Sequence, residues 1–329
     1  MLPSPRRRLY LGLLGCALGC ALGFAGCSRS PDPWREAKEG QKHILVTFPP
    51  LYCLTHAVAG EDAYVLCYLT TDGPHDYSFS PRDAIKARDA HLLIYNGLGL
   101  DDAFVQRINA RNKVPMLDVG GALPKTMLRT MGEEHQDGPQ HAGHKHAHGT
   151  YDPHVWLGPP QALVMTDTIA AKLAEVDPPH ATDYHQRAGK LKAHLEQLQA
   201  DGRARFKDRA NRKILTMHES IGYFADAFGL KVAGSIQPVP GADADPGRLK
   251  GLVDLCKERR VAVITYEPQY LKKQPELLLR ELQKDVKVQL AEFDPLETAP
   301  AGAGGINPPP SYYFDRMRAN IDNLAGALP

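Results

Sequence analysis

The chain has 329 residues, 43% of them apolar and 23% charged, with a formal charge of +1. That is enough to bury a substantial core in two domains or one large one, and it excludes a basic nucleic-acid surface or a polybasic membrane patch. Three of the positive charges, Arg6 to Arg8, fall in a segment expected to be removed, which leaves the mature chain slightly acidic.

Residues 1–27 read as an export leader: a basic start, an apolar run from Leu9 to Phe24, and the small-residue stop Ala25-Gly26-Cys27. The apolar run is short and Gly-rich, which suits a signal peptide better than a spanning helix. The ending Phe24-Ala25-Gly26-Cys27 resembles a bacterial lipobox, whose cysteine becomes the lipidated first residue of the mature protein. Cys16 and Cys20 end competing phrases, but cleavage at either would leave apolar residues behind. Residues 28–42 are then a polar tether. Three cysteines remain in the body, Cys53, Cys67 and Cys256. They allow at most one internal disulfide, Cys53 with Cys67 being nearest in sequence, or three buried thiols.

From residue 43 to 180, β-branched runs alternate with helical stretches. His43 to Phe48, Tyr64 to Leu69, His91 to Tyr95 and Met116 to Val119 are the expected strands, and Ser80-Pro81 with Asp83 marks a helix start. Ala181 to Asp208 carries an apolar seam at Leu191, Leu195 and Leu198 amid charge, and reads as one long helix within a 181–210 linker. His185 and His194 on it are expected to be solvated. Residues 211–329 repeat the rhythm, with strands at Lys213 to Met217, Lys231 to Ala233, Val261 to Tyr266 and Val286 to Leu290, and an apolar helix face at Leu249, Leu252, Val253 and Cys256. The fold class is therefore α/β: two lobes, each a parallel sheet flanked by helices, tied by one stiff helix.

Four phrases place a potential ligand just after or between predicted elements: "TDGPHDYSFSP" with His75, "YDPHVWLGP" with His154, "TMHESIGYFADAFGL" with His218 and "LAEFDPLE" with Asp294. Two come from each lobe. Imidazole nitrogen and carboxylate oxygen are zinc ligands, and a cleft outside the carboxyl ends of parallel strands is where such ligands would meet. Gly97 and Gly99 in "NGLGLDD" lack the third glycine of a dinucleotide fingerprint.

These phrases, with "VTFPPLYCLTHAVAG", "YEPQY" and the closing "SYYFDRMRANIDNLAGAL", resemble the metal-binding solute-binding proteins of bacterial zinc and manganese ABC importers, in the zinc-uptake branch. The resemblance implies two α/β lobes with the metal in the interlobe cleft, and His75, His154, His218 and Asp294 as its ligands. It also implies Zn2+ as cargo and an ABC permease and its ATPase as partners. With the lipobox phrase, the chain is expected as a periplasmic or otherwise extracytoplasmic monomer held to a membrane by lipid alone, plain secretion being the alternative. Some zinc members take a carboxylate just before the first histidine. Pro74 stands there in this chain, which leaves Asp294 or a water as fourth ligand. Glu267 in "TYEPQY" is expected as a hydrogen-bonded support beside the cleft, and Asp76 and Glu219 as groups that orient imidazoles.

A second style of histidine lies between residues 133 and 150. His135, His141, His144, His146 and His148 are five of the chain's fourteen histidines, within fourteen residues and without an apolar period, which marks a loop rather than a core element. The resemblance makes it a secondary, weaker metal loop. His148 is six residues from His154, so at roughly 3.3–3.6 Å per residue its end lies within about 20 Å of the cleft. A zinc hydrolase would need a general base and a motif such as HExxH, and none occurs. A manganese-type member, a zinc buffer or an adhesin would share the same fold.

Overall fold

Strands apolar on both faces cannot stand at a surface, and the chain covers most of its strands with helices. The computed structural model describes residues 32–75, 77, 83–131, 150–237, 240–302 and 307–329. The first sheet comprises β1 (Lys42–Val46), β2 (Ala63–Cys67), β3 (Leu92–Tyr95) and β4 (Met116–Asp118), all parallel, in the order β2-β1-β3-β4. The second comprises β5 (Lys213–Thr216), β6 (Lys231–Ser235), β7 (Val263–Tyr266) and β8 (Gln289–Glu292), parallel in the order β6-β5-β7-β8. Both sheets thus reverse their winding beside their first strand. At that point the carboxyl ends of the strands open a crevice.

The helices are α1 (Pro49–Ala59), α2 (Asp83–Ala87) and α3 (Asp102–Asn109) in the first lobe, then α4 (Pro159–Val176) and α5 (Ala181–Phe206). In the second lobe are α6 (Gly222–Phe228), α7 (Pro246–Arg259) and α8 (Lys273–Leu282), and α9 (Tyr312–Ala327) closes the chain. Among the described residues no helix is long and apolar enough to cross a membrane. The leader with Cys27, the Ser80 helix start and the histidines from 135 to 148 lie outside the described residues.

Most expected strands are met within two residues, and the three-residue delay of β8, like the two-residue delay of β7, has a local cause. Val286 still hydrogen-bonds to Leu282 O in the closing turn of α8, so β8 begins only at Gln289. Arg260 is left-handed (φ 54°) and Val261 N reaches back to Cys256 O, which ends α7 and delays β7 to Val263.

Helix α5 buries Tyr184, Ala188, Leu191, Leu195, Leu198, Gly202 and Phe206, one stripe at steps of three and four. Its two halves dock different lobes. Arg187 near its start donates to Val58 O and Ala59 O at the end of α1, and Arg203 donates to Ala227 O near the end of α6. His185 and His194 are exposed and flank that stripe on its two sides.

One apolar core runs from lobe to lobe through Phe48, Trp156, Phe224, Phe293 and Tyr313, and Pro33–Pro329 pack as a single unit. A smaller cluster, including Leu215, Leu252, Cys256, Ile264 and Leu282, fills the far side of the second sheet. Cys53, Cys67 and Cys256 are buried free thiols, and burial pushes Cys53 and Cys256 up to about 12, where they are inert.

Gly202 and Gly189 differ in what a methyl group would meet. A Cβ on Gly202 would stand 2.3 Å from the Phe228 ring, whereas exposed Gly189 has nothing within 4 Å. Gly189→Ala is therefore expected to stabilise by about 0.5–1 kcal/mol through helix propensity, and Gly202→Ala to destabilise by roughly 1–2 kcal/mol because overpacking outweighs the same gain. Urea unfolding of the two variants checks the sign; two shifts in the same direction would contradict this packing.

Candidate metal centre

The Asp-Pro-His phrase builds the first fixed imidazole. Asp152 Oδ1 accepts both the backbone N–H of His154 (2.9 Å) and its ring Nδ1–H (2.7 Å), so one carboxylate shapes the turn and sets the tautomer. The Nε2 lone pair is then the one turned toward the cleft. A short 3-10 turn, Val155–Leu157, follows, and α4 starts at Pro159.

His218 follows β5 and is fixed in the same manner from a neighbouring strand. Glu267, just beyond β7, holds His218 Nδ1 at 2.8 Å and 2.9 Å from its two oxygens, and Gln269 Nε2 donates to Glu267 Oε2 at 3.1 Å. Glu267 is fully buried, so its charge acts on His218 with little screening.

The Nε2 atoms of His154 and His218 lie 3.4 Å apart, and those of His75 and His154 3.3 Å. Glu297, beyond β8, places Oε1 3.4 Å from His75 Nε2, 3.3 Å from His154 Nε2 and 3.4 Å from His218 Nε2. All four ligand atoms lie within 4.8 Å of one another. Edges of a tetrahedron are about 1.6 times its centre-to-corner distance, so zinc bonds of about 2.0–2.2 Å require edges of about 3.3–3.6 Å. Five edges are thus of the length that a tetrahedral zinc requires.

Electrostatics agree with the geometry. Burial alone would lower the pKa of His218, but Glu267 and Glu297 more than offset it and hold the ring well above the ordinary imidazole value. Burial likewise opposes protonation of His154, and Asp152 and Glu297 reverse it. For Glu297 burial would raise the carboxyl, yet the three imidazoles keep it well below the usual range. Glu297 Oε1 is buried without a hydrogen-bond partner of ordinary geometry, and its neighbours are the three Nε2 atoms. The group fits a shared cation. His75, with 14% of its side chain exposed against 1–3% for the other three, is the side open to solvent.

Asp294, the carboxylate expected from the sequence, is not in this group. Its Oδ1 accepts Leu296 N–H at 2.8 Å and its Oδ2 the Tyr312 hydroxyl at 3.2 Å, and burial pushes it up to about 6 despite that backbone bond and nearby Arg316. The residue that converges on the histidines is Glu297, three positions later. The signal was legible: Asp before Pro caps the N–H two residues on, which occupies its carboxylate and leaves the next acid free. Glu267 stands as a support of His218, whereas the support of His154 is Asp152 rather than a residue following a histidine. Asp76 lies outside the described residues.

Two parallel-sheet lobes, one stiff connecting helix and a buried group of three imidazoles and a carboxylate between them define a cleft protein of the metal-binding, solute-binding kind. The chain belongs to the ZnuA family, zinc-uptake complex component A periplasmic, whose family model matches residues 44–327. It is 27% identical over 285 residues to the zinc-binding lipoprotein AdcA of Streptococcus pneumoniae serotype 4, covering 85% of this chain and 54% of that protein. A putative metal-binding protein of Treponema pallidum is 28% identical over 304 residues, 91% of this chain and 90% of that one. The chain thus spans about half the length of the AdcA proteins it matches and nearly all of the Treponema protein. Among solved structures, the laminin-binding adhesin Lmb of Streptococcus agalactiae superposes with a TM-score of 0.71 at 26% identity, over 87% of this chain and 99% of that one. A crystal structure of ZnuA superposes with a TM-score of 0.70 at 25% identity, over 88% and 100%.

Because Glu267 helps lift the His218 midpoint, Glu267→Gln in the metal-free protein is expected to move it down, as read from histidine ring resonances against pH. The sign follows for stability: a raised histidine contributes fully below its unfolded pKa of about 6.5 and loses that contribution as pH rises through the folded midpoint. The stability advantage of wild type over Glu267→Gln should therefore shrink as pH rises through that midpoint. An unmoved His218 midpoint would break the assigned link.

Proposed function

We propose that this chain captures Zn2+ outside the cytoplasm and delivers it to an ABC-type permease and its ATPase, without covalent chemistry. His75, His154, His218 and Glu297 hold the ion, with Asp152 and Glu267 orienting two of the rings. The observation that carries this reading is the set of five ligand-to-ligand distances of 3.3–3.4 Å. Three imidazoles favour zinc over manganese, which prefers oxygen-rich sites. Family membership and the relatives described as zinc-binding support the same cargo.

On this reading the leader ends at Cys27, a lipid there is the only membrane attachment, and the mature chain works as a monomer. The lobes divide at residues 43–180 and 211–329, with 181–210 as linker. His135, His141, His144, His146 and His148 supply a weaker second site that raises the local zinc concentration near the cleft.

Zinc binding of about 10–16 kcal/mol spread over four ligands is about 3 kcal/mol each, or roughly 100-fold in affinity. His154→Ala and His218→Ala should each weaken zinc by about that factor in a chelator competition, and Glu297→Ala by less, since water can take a carboxylate's place. His218→Ala binding zinc like wild type would overturn the assignment.

Deleting residues 135 to 148 should remove only weak binding in calorimetry. Loss of the tight site on that deletion would contradict the division between the two histidine groups.

A further inference from the structure

β8 ends at Glu292, and five residues later the chain must present Glu297 Oε1 to three imidazoles. The turn that does this is held on every side. Asp294 Oδ1 accepts Leu296 N–H at 2.8 Å, and Leu296 sits at φ 64°, a left-handed conformation that side chains of its kind adopt only when something holds them there. Tyr312 hydroxyl lies 3.2 Å from Asp294 Oδ2 and 2.5 Å from Thr298 O, so it spans the turn from before Glu297 to after it, its single proton serving one acceptor at a time. Asn320 clamps the Asp294 backbone in both directions, accepting its N–H at 2.8 Å and donating to its carbonyl at 2.7 Å. From the first lobe, Trp156 Nε1 donates to Pro295 O at 2.8 Å, and Ala299 N donates to Thr70 O at 2.7 Å.

Of the hydrogen bonds in this frame, the one to Asp294 Oδ1 is made by the left-handed residue that immediately precedes Glu297, Leu296, whose side chain is itself buried in the core. We propose that Asp294 is the positioning residue for Glu297: by holding Leu296 N–H it fixes the left-handed step that aims the Glu297 carboxylate at the three imidazoles. The inference rests on the four-ligand reading above. Asp294 itself stands outside the four converging residues. Its influence on the ion passes entirely through the direction of its neighbour's side chain, so its removal should act as a removal of Glu297 from the site.

The experiment compares Asp294→Ala, Asp294→Asn, Glu297→Ala and the double variant Asp294→Ala/Glu297→Ala. The two readouts are zinc dissociation constants from chelator competition and the visible absorption of bound Co2+, which reports ligand number and symmetry. Losing such an orienting group typically lowers metal affinity by about 10–100-fold. Asp294→Ala should do so and should give a Co2+ spectrum like that of Glu297→Ala. The double variant should bind no more weakly than Glu297→Ala alone, because residues acting through one contact do not add. Asp294→Asn keeps an oxygen for Leu296 N–H and should retain most of the affinity and the wild-type spectrum. Circular dichroism of the metal-free variants checks folding; if Asp294→Ala does not fold, Asp294→Ser, with the weaker hydroxyl form of the same turn, replaces it in every comparison. Additive losses in the double variant, or a wild-type Co2+ spectrum in Asp294→Ala while Glu297→Ala alters it, would overturn the positioning role. A Glu297→Ala variant that leaves zinc affinity and spectrum unchanged would overturn the four-ligand reading itself, and the positioning role with it.

Discussion

Three imidazole nitrogens and a carboxylate oxygen crowded to 3.3–3.4 Å, mostly out of reach of water, repel one another unless a positive charge is shared among them. Much of the structure serves that crowding. Asp152 and Glu267 take the Nδ1–H side of two rings, which leaves their Nε2 lone pairs no direction but inward. Without those two carboxylates the same rings could flip or exchange tautomers. The site is therefore built twice over, once by the atoms that face the centre and once by the atoms behind them.

That precision also requires the lobes to keep their spacing, because His75 and His154 come from one and His218 and Glu297 from the other. A shift of about 1 Å would spoil the tetrahedral distances. Three features oppose such a shift: helix α5, with an arginine docked on each lobe; the core passing through Phe48, Trp156 and Tyr313; and the 294–299 turn, bonded to both sides. Trp156 joins them directly. Its indole N–H holds Pro295 O, its own carbonyl accepts the Tyr313 hydroxyl, and its ring packs edge-on against Phe48. A buried aromatic with both polar groups satisfied resists being prised out more than an apolar contact alone.

Much of this architecture was legible in the sequence because its signals are local. Parallel strands read as unbroken runs of Val, Ile and Leu, and Leu191, Leu195 and Leu198 mark the connecting helix by spacing alone. The phrases around His75, His154 and His218, through their resemblance to the metal-binding family, picked out three of the four converging residues. The fourth was misplaced by three positions because proximity in sequence cannot say which of two acids is already occupied by backbone. In "DPLE", as in "DPH", aspartate before proline folds back onto the N–H two residues ahead; recognising the turn would have freed Glu297. Glu267 and His218 meet across 49 residues, from neighbouring strands, and no local pattern encodes that partnership.

The charge balance of the site connects capture with protons. Glu297, Asp152 and Glu267 bring three carboxylates to one buried region, and their charge raises the midpoints of His154 and His218, so that protons bind these rings more readily than they bind free imidazoles when no metal is there. A divalent cation entering the proposed site offsets the same charge and expels such protons, so the buried region trades one form of positive charge for another rather than gaining it. The carboxylates behind the rings act in opposite senses on the two competitors. They make the imidazoles better donors to a metal and better bases for a proton, and the outcome depends on geometry. A proton is satisfied by one or two of these atoms, whereas only a tetrahedral cation engages all four at once. Affinity for such an ion therefore comes from the simultaneous fit, which is why the residues that aim the ligands matter as much as the ligands do.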